Sequence, residues 1–127
     1  MTLNELTEKI IGCCIEVHKQ LGAGLLESTY EECLVYELTN NGLFVERQKE
    51  LPVVYKDKVL DCGYRIDILV EDRVVVELKS VEKVLPIHEA QIITYLKLSQ
   101  KTVGLLVNFN STILTKGIKR FVNNYKE

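Results

Sequence analysis

The sequence is poor in the features that mark unusual protein classes. Its 127 residues include only 2 Pro and 7 Gly beside 46% apolar and 27% charged residues, which excludes disordered, fibrous and low-complexity chains. No apolar run approaches the roughly 20 residues that cross a bilayer. The N-terminal residues lack the basic and apolar segments of a secretory signal. We therefore expect one domain over residues 1–127, in the cytoplasm and with no membrane partner.

The four cysteines lack the spacing of a zinc site or a disulfide framework. Cys13 and Cys14 are adjacent, which fits no CxxC pattern, and Cys33 and Cys62 stand alone. Cys14 and His18 are one helical turn apart, but two ligands do not close a structural zinc site. The sequence predicts reduced thiols, most of them buried.

Charge is unevenly distributed along the chain. Residues 1–50 hold 4 Lys/Arg against 9 Asp/Glu, whereas residues 51–127 hold 12 against 9, within a total net charge of -2. The second half could face a polyanion, although many proteins with this charge bind no nucleic acid.

Apolar spacing predicts a mixed α/β order. Steps of three and four residues predict a helix ending near Gly22 and a second from residue 25 or 28 to Asn40. Alternation then predicts strands, and Pro86 opens a third helix that a buried strand follows, which implies a parallel crossover. The predicted strands cover residues 44–51, 52–55 paired with 58–60, 64–70, 74–79, 102–108 and, as an edge strand, 117–122.

Glu27 is an acid on the apolar side of the second predicted helix. If that helix begins early enough, Glu27 projects within the arc that contains Leu34 and Leu38. Burying an unpaired carboxylate costs several kcal/mol, so we expect Glu27 to point toward the core and to need a cation or hydrogen-bond donors.

Two further acids and a lysine lie on neighbouring predicted strands. Glu77 and Lys79 are two residues apart and share one face of their strand. A turn with an odd number of residues would bring Asp67 opposite Glu77, whereas a two-residue turn would pair it with Val76. Adjacent carboxylates repel unless a divalent cation lies between them, and such oxygen ligands suit Mg²⁺ or Mn²⁺.

The Lys79 ammonium could then hold a phosphate or an attacking water. The alternative is a surface hairpin on which Glu77 and Lys79 simply face solvent, because such triplets are common.

The third predicted helix carries polar groups on one face. Gln91 and Tyr95 are one turn apart and could donate hydrogen bonds to a phosphate or a carboxylate. His88 lies on the same side, but a histidine in a first turn is more often structural. Tyr30 and Tyr95 are core aromatics by default.

In order along the chain, these segments resemble the GxxExxY family of the PD-(D/E)XK nuclease-like superfamily: GLLESTY (24–30), RID (65–67), ELK (77–79) and AQIITYL (90–96). The resemblance covers nearly the whole chain, with Ile66 in place of the proline that often precedes the superfamily's acid. It implies an α/β fold in which a mixed β-sheet is flanked by helices. This would be a restriction-endonuclease-like core of order αβββαβ with an additional N-terminal helix.

The resemblance also implies a role for each motif residue. Lys79 would be the catalytic lysine, Gln91 would reach the active centre from its helix, and Tyr30 and Tyr95 would support the site. The implied metal ligands are Asp67, Glu77, the backbone carbonyl of Leu78, and Glu27 as the helical carboxylate that completes the site.

The expected function is a Mg²⁺- or Mn²⁺-dependent nuclease that hydrolyses phosphodiester bonds in DNA. The alternative is a catalytically inactive nuclease-fold module that binds nucleic acid or a protein partner. A homodimer is one expectation, because cutting both strands of a duplex often needs two active sites. A nucleotide-binding glycine loop is excluded, because Glu27 stands where that loop needs its third glycine.

Overall fold

The computed structural model describes residues 1–124 and shows a mixed α/β protein with three helices. The helices are α1 (Leu3–Leu21), α2 (Glu27–Asn40) and α3 (Pro86–Ser99), and the strands are β1 (Val45–Glu50), β2 (Val53–Tyr55), β3 (Lys58–Leu60), β4 (Arg65–Val70), β5 (Val74–Lys79), β6 (Val103–Asn108) and β7 (Ile118–Val122). A mixed sheet flanked by helices is therefore confirmed.

Five strands form one sheet in the order β1-β4-β5-β6-β7. Across residues 1–124, β5 and β6 are the only parallel pair, with Val76 opposite Leu105, and α3 makes the crossover between them as predicted. Strands β2 and β3 form a separate two-stranded hairpin, which lies in the connection between β1 and β4.

The helices cover both faces of the sheet. Val74, Val76 and Leu78 pack in one apolar cluster with buried residues of α1 and α2, whereas Val75 packs in a second cluster with Ile92 and other residues of α3. This alternation is what a strand buried on both faces requires.

Helix α3 packs directly against the sheet at Gly104 of β6. A Cβ at this position would lie 3.0 Å from Cδ1 of Ile92 and 3.3 Å from Cδ2 of Leu96. The missing side chain therefore allows the close approach, which fixes the depth of α3 over β5 and β6.

The cysteines are unpaired thiols, as predicted. Cys13 and Cys14 are buried and Cys33 is half-buried, but Cys62 is exposed. Across residues 1–124, no helix combines the length and the apolar character needed to span a bilayer.

Candidate active site

The turn between β4 and β5 determines which residues meet. It contains three residues, 71–73, and the strand pairs are Val70 with Val74, Leu69 with Val75 and Ile68 with Val76. The turn is odd, so the alternative pairing of Asp67 with Val76 is excluded. The register that places Asp67 opposite Glu77 is the one observed.

The ladder between β4 and β5 opens at this point. Backbone pairing ends at Ile68 and Val76, and side chains take over: the Asp67 N–H donates to Glu77 Oε2 at 2.8 Å, and the Leu78 N–H donates to Asp67 Oδ2 at 2.9 Å. Each carboxylate thus accepts a hydrogen bond from the backbone of the opposite strand segment.

The Leu78 carbonyl is directed toward the same gap. In an extended strand the N–H and the C=O of one residue point to the same side. The Leu78 N–H reaches Asp67, so its carbonyl also faces β4, whereas the carbonyl of Lys79 faces β6 and accepts from the Phe109 N–H at 2.9 Å.

Burial controls the protonation of the acid pair. Glu77 is only 5% exposed, and burial raises its pKa to about 8, with the charge of Asp67 adding to the rise. Burial also raises the pKa of Asp67, and the hydrogen bond from Leu78 opposes that rise. Two such carboxyls titrate as a coupled pair that favours holding a proton near neutral pH.

Lys79 lies beside this pair. Its ammonium lowers the pKa of both Asp67 and Glu77. Within residues 1–124 no carboxylate comes within ion-pair distance of it. Buried Asn108 lies opposite Lys79 on the neighbouring strand β6. It fixes the loop that follows β5, because its side chain accepts from the Val81 N–H at 3.1 Å and donates to the Val81 carbonyl at 2.9 Å.

The expected burial of Glu27 is wrong. Glu27 is the first residue of α2 and is exposed, while the buried residues of that helix are Tyr30, Leu34 and Leu38. The helix starts too late for Glu27 to project into the core, so it needs no compensating partner. The charge of Glu27 nevertheless raises the pKa of Asp67, so Glu27 is close enough to act on the acid pair.

Tyr30 has a structural role in the same segment. It is buried and stacks on Phe109 with ring centroids 4.4 Å apart. Its hydroxyl donates to the Gly22 carbonyl at 2.6 Å and accepts from the Leu25 N–H at 3.1 Å. Tyr30 thereby fixes the connection that leads into Glu27.

Gln91 and Tyr95 share one face of α3, as predicted. The Gln91 Nε2 donates to the Tyr95 hydroxyl at 3.2 Å. Burial raises the pKa of Tyr95, and the charges of Glu77 and Asp67 add to the rise. The phenol of Tyr95 is therefore close enough to the acid pair to feel its charge. His88 caps its own helix, since its Nδ1 accepts from the Leu85 N–H at 3.0 Å.

Glu31 is a further acid near the pair that the sequence did not predict. Its side chain is only 13% exposed and accepts from Arg47 at 2.9 Å and from Gln48 at 2.6 Å. Its charge raises the pKa of both Asp67 and Glu77. The available signal was its position one helical turn after Glu27.

Ser80 was missed as well. The Ser80 hydroxyl donates to the Leu25 carbonyl at 2.5 Å, so the residue after Lys79 is tied to the connection before Glu27. Two segments that are 55 residues apart are thus held together at the site.

Comparison with known protein families shows to which superfamily the chain belongs. The model of the PD-(D/E)XK nuclease superfamily matches residues 4–121, which include every motif residue discussed above. The chain belongs to this superfamily. No curated protein and no solved structure matches it significantly.

Members of the PD-(D/E)XK nuclease superfamily are usually hydrolytic nucleases and typically use divalent metals. The donor set of this member fits such an ion, because the pair of acids supplies carboxylate oxygens and the Leu78 carbonyl faces the same gap. Within residues 1–124 no group of three or more His, Cys, Asp or Glu has a metal-binding arrangement, so Glu27 does not complete a preformed site. Two carboxylates with water suit Mg²⁺, which retains much of its hydration shell.

Proposed function

We propose that the chain is a Mg²⁺- or Mn²⁺-dependent nuclease of the GxxExxY branch that hydrolyses phosphodiester bonds in DNA. The observation that supports this most strongly is the pair formed by half-buried Asp67 and buried Glu77 beside Lys79. In this proposal α2, β1, β4, β5, α3 and β6 form an αβββαβ core, α1 is the additional N-terminal helix, and residues 1–127 are one domain.

Asp67, Glu77 and the Leu78 carbonyl would hold the cation, with Glu27 contributing from the exposed start of α2. Each acid uses one oxygen for a backbone hydrogen bond, which leaves the other oxygen for the ion. A bound divalent cation would supply Lewis acidity toward the phosphodiester and lower the pKa of water.

Lys79 would hold the attacking water or a phosphate oxygen, because its ammonium is near both acids and is not committed to either. The amide of Gln91 and the hydroxyl of Tyr95 would orient the substrate from α3.

The test uses plasmid, linear duplex and single-stranded DNA with Mg²⁺, Mn²⁺ or EDTA. We expect cleavage that EDTA and Glu77→Ala each abolish, while Glu82→Ala, which removes an exposed acid nearby, leaves it unchanged. Cleavage that survives EDTA or Glu77→Ala would come from a contaminant and would count against the proposal.

The second candidate is a non-catalytic module on the same fold. It is favoured by the observation that, among the described residues, no third acid joins the pair in a metal-binding arrangement. Calorimetric titration with Mn²⁺ discriminates between the two: stoichiometric binding that Asp67→Ala abolishes would count against the module. Sedimentation analysis of the same samples tests the homodimer expected from the sequence.

A further inference from the structure

A groove lies between α3 and the root of the β2–β3 hairpin, on the side of α3 that carries Gln91 and Tyr95. Its volume is about 630 Å³, within the range of sites that bind small organic groups. Its lining includes Val53, Tyr64, Ile87, His88, Gln91 and Tyr95. Gln91 and Tyr95 also belong to the proposed active site, so the groove continues from it.

An aromatic side chain forms an accessible wall of the groove. Tyr64 is 46% exposed, and its ring meets that of Tyr95 edge-to-face, with centroids 6.2 Å apart and an interplanar angle of 68°. Its backbone is fixed, since the Tyr64 carbonyl accepts from the Leu51 N–H at 3.0 Å. An exposed aromatic ring that is held in place in this way offers a face on which a planar group, such as a nucleobase, can stack.

The polar groups of the lining suit a nucleobase edge. Among residues 1–124 no acid lines the groove, and the polar side chains that line it are His88, Gln91, Thr94 and the two tyrosines. Because Nδ1 of His88 accepts a hydrogen bond, the neutral ring carries its proton on Nε2. Gln91 retains its amide oxygen as an acceptor, so donor and acceptor atoms are both available.

The neighbouring hairpin adds cations and aromatic surface. Lys56 and Lys58 are exposed, and the Lys56 ammonium lies 5.5 Å from the ring centroid of exposed Tyr55. Lysines beside an exposed aromatic ring are typical of surfaces that bind single-stranded nucleic acid, although Asp57 between the two lysines offsets part of their charge.

We propose that this groove binds an unpaired nucleobase of the polynucleotide whose phosphodiester lies at Asp67 and Glu77. The proposal rests on the proposed nuclease function and specifies its substrate class, a strand with at least one unstacked base beside the scissile bond. A base within a duplex is stacked on both faces, and extruding it costs a few kcal/mol, so an intact duplex would be the poorer ligand.

The test measures binding in EDTA by fluorescence anisotropy. The probes are a labelled single-stranded oligodeoxynucleotide, a set of the same strand with one abasic site at each position in turn, the matching duplex, and the RNA of the same sequence. Tyr64→Ala is compared with Tyr64→Phe, which keeps the ring, and with Tyr36→Ala, which removes a 65% exposed tyrosine from α2.

We expect Tyr64→Ala to weaken single-strand binding about 5- to 150-fold, as loss of one stacked base does. Binding of Tyr64→Phe and Tyr36→Ala should stay within about twofold of wild type. An abasic site at one position should weaken binding by the wild type and not weaken binding by Tyr64→Ala further, since both changes remove the same contact. Tighter binding of the RNA than of the DNA strand would count against DNA as the substrate.

The proposal is overturned if Tyr64→Ala binds as the wild type does, if it loses single strand and duplex equally, or if no abasic position matters. It is also overturned if sedimentation shows a dimer that Tyr64→Ala dissociates, because the groove would then hold a second copy. Base-dependent binding without any cleavage would overturn the nuclease function alone. Cleavage that is independent of Tyr64 would overturn the groove alone.

Discussion

Asp67 and Glu77 connect β4 to β5 just beyond Ile68 and Val76, where the backbone hydrogen bonds between the two strands stop. The Asp67 N–H donates to Glu77 at 2.8 Å, and Asp67 in turn accepts from the Leu78 N–H at 2.9 Å. The residues proposed to hold a cation therefore also join the sheet. This dual role makes the charge of the pair a matter of stability as well as of catalysis.

The stability of the metal-free protein should fall as pH rises from about 5 to about 8. The pKa of Glu77 is near 8 in the folded protein against an ordinary value of 4.5, so in this window the folded state holds a proton that the unfolded chain has released. The free energy of unfolding should drop by a few kcal/mol, as measured by urea denaturation at several pH values.

Two variants control this measurement. Glu77→Gln should lose most of the slope, because the remaining amide does not titrate, whereas Glu82→Gln removes an exposed acid and should keep it. A wild-type protein whose stability rises across this window would contradict the assigned burial of Glu77.

Lys79→Met should separate catalysis from metal binding. We expect kcat to fall about 100- to 1,000-fold, because a charge directed at the phosphate is lost. The affinity for Mn²⁺ should change less than tenfold, since Lys79 is not a ligand. Lys83→Met, at an exposed lysine four residues away, is the matched control and should retain activity. Equal losses in both variants would remove the special role of Lys79.

Glu31→Gln should shift metal binding to lower pH. The charge of Glu31 raises the pKa of both acids, so its removal lowers the pKa of Glu77 and makes the dianionic pair accessible at a lower pH. Glu32→Gln is the control, because Glu32 also pairs with Arg47 but is 70% exposed and does not raise the pKa of either acid. Calorimetric Mn²⁺ titrations from pH 6 to pH 9 would show identical profiles for the two variants if Glu31 had no influence on the pair.

Tyr30→Phe should destabilise the protein without removing any proposed ligand. The variant loses a donor to Gly22 and an acceptor for the Leu25 N–H, at a cost of about 1–3 kcal/mol of unfolding free energy. Tyr36→Phe alters an exposed ring and should stay within about 0.5 kcal/mol of wild type. Urea denaturation of the two variants gives the comparison, and an equal effect would contradict the buried role of Tyr30.

Local sequence rules predicted much of the fold and part of the site. Alternation located β4 and β5, and the turn argument named the register that Asp67 and Glu77 require. Glu27 was misplaced because a helical projection depends on the starting residue, and α2 begins at Glu27 itself.

The sequence places Glu31 one helical turn after Glu27, but its burial could not be predicted because it depends on partners in β1. Gln48 in that strand has a φ of +51°, a conformation uncommon for this residue type, and both Arg47 and Gln48 reach Glu31 although they are adjacent. Strict alternation would send neighbouring side chains to opposite faces, so the period-two pattern could not reveal this contact.

The most direct test of the metal site is an anomalous difference map from a crystal of the protein soaked in Mn²⁺ near pH 8. We expect one peak bound by a carboxylate oxygen of Asp67, a carboxylate oxygen of Glu77 and the carbonyl of Leu78, with Glu27 near enough to contribute, and no such peak in crystals of Asp67→Asn. A wild-type crystal with no peak between Asp67 and Glu77, or with Mn²⁺ bound only elsewhere, would contradict it.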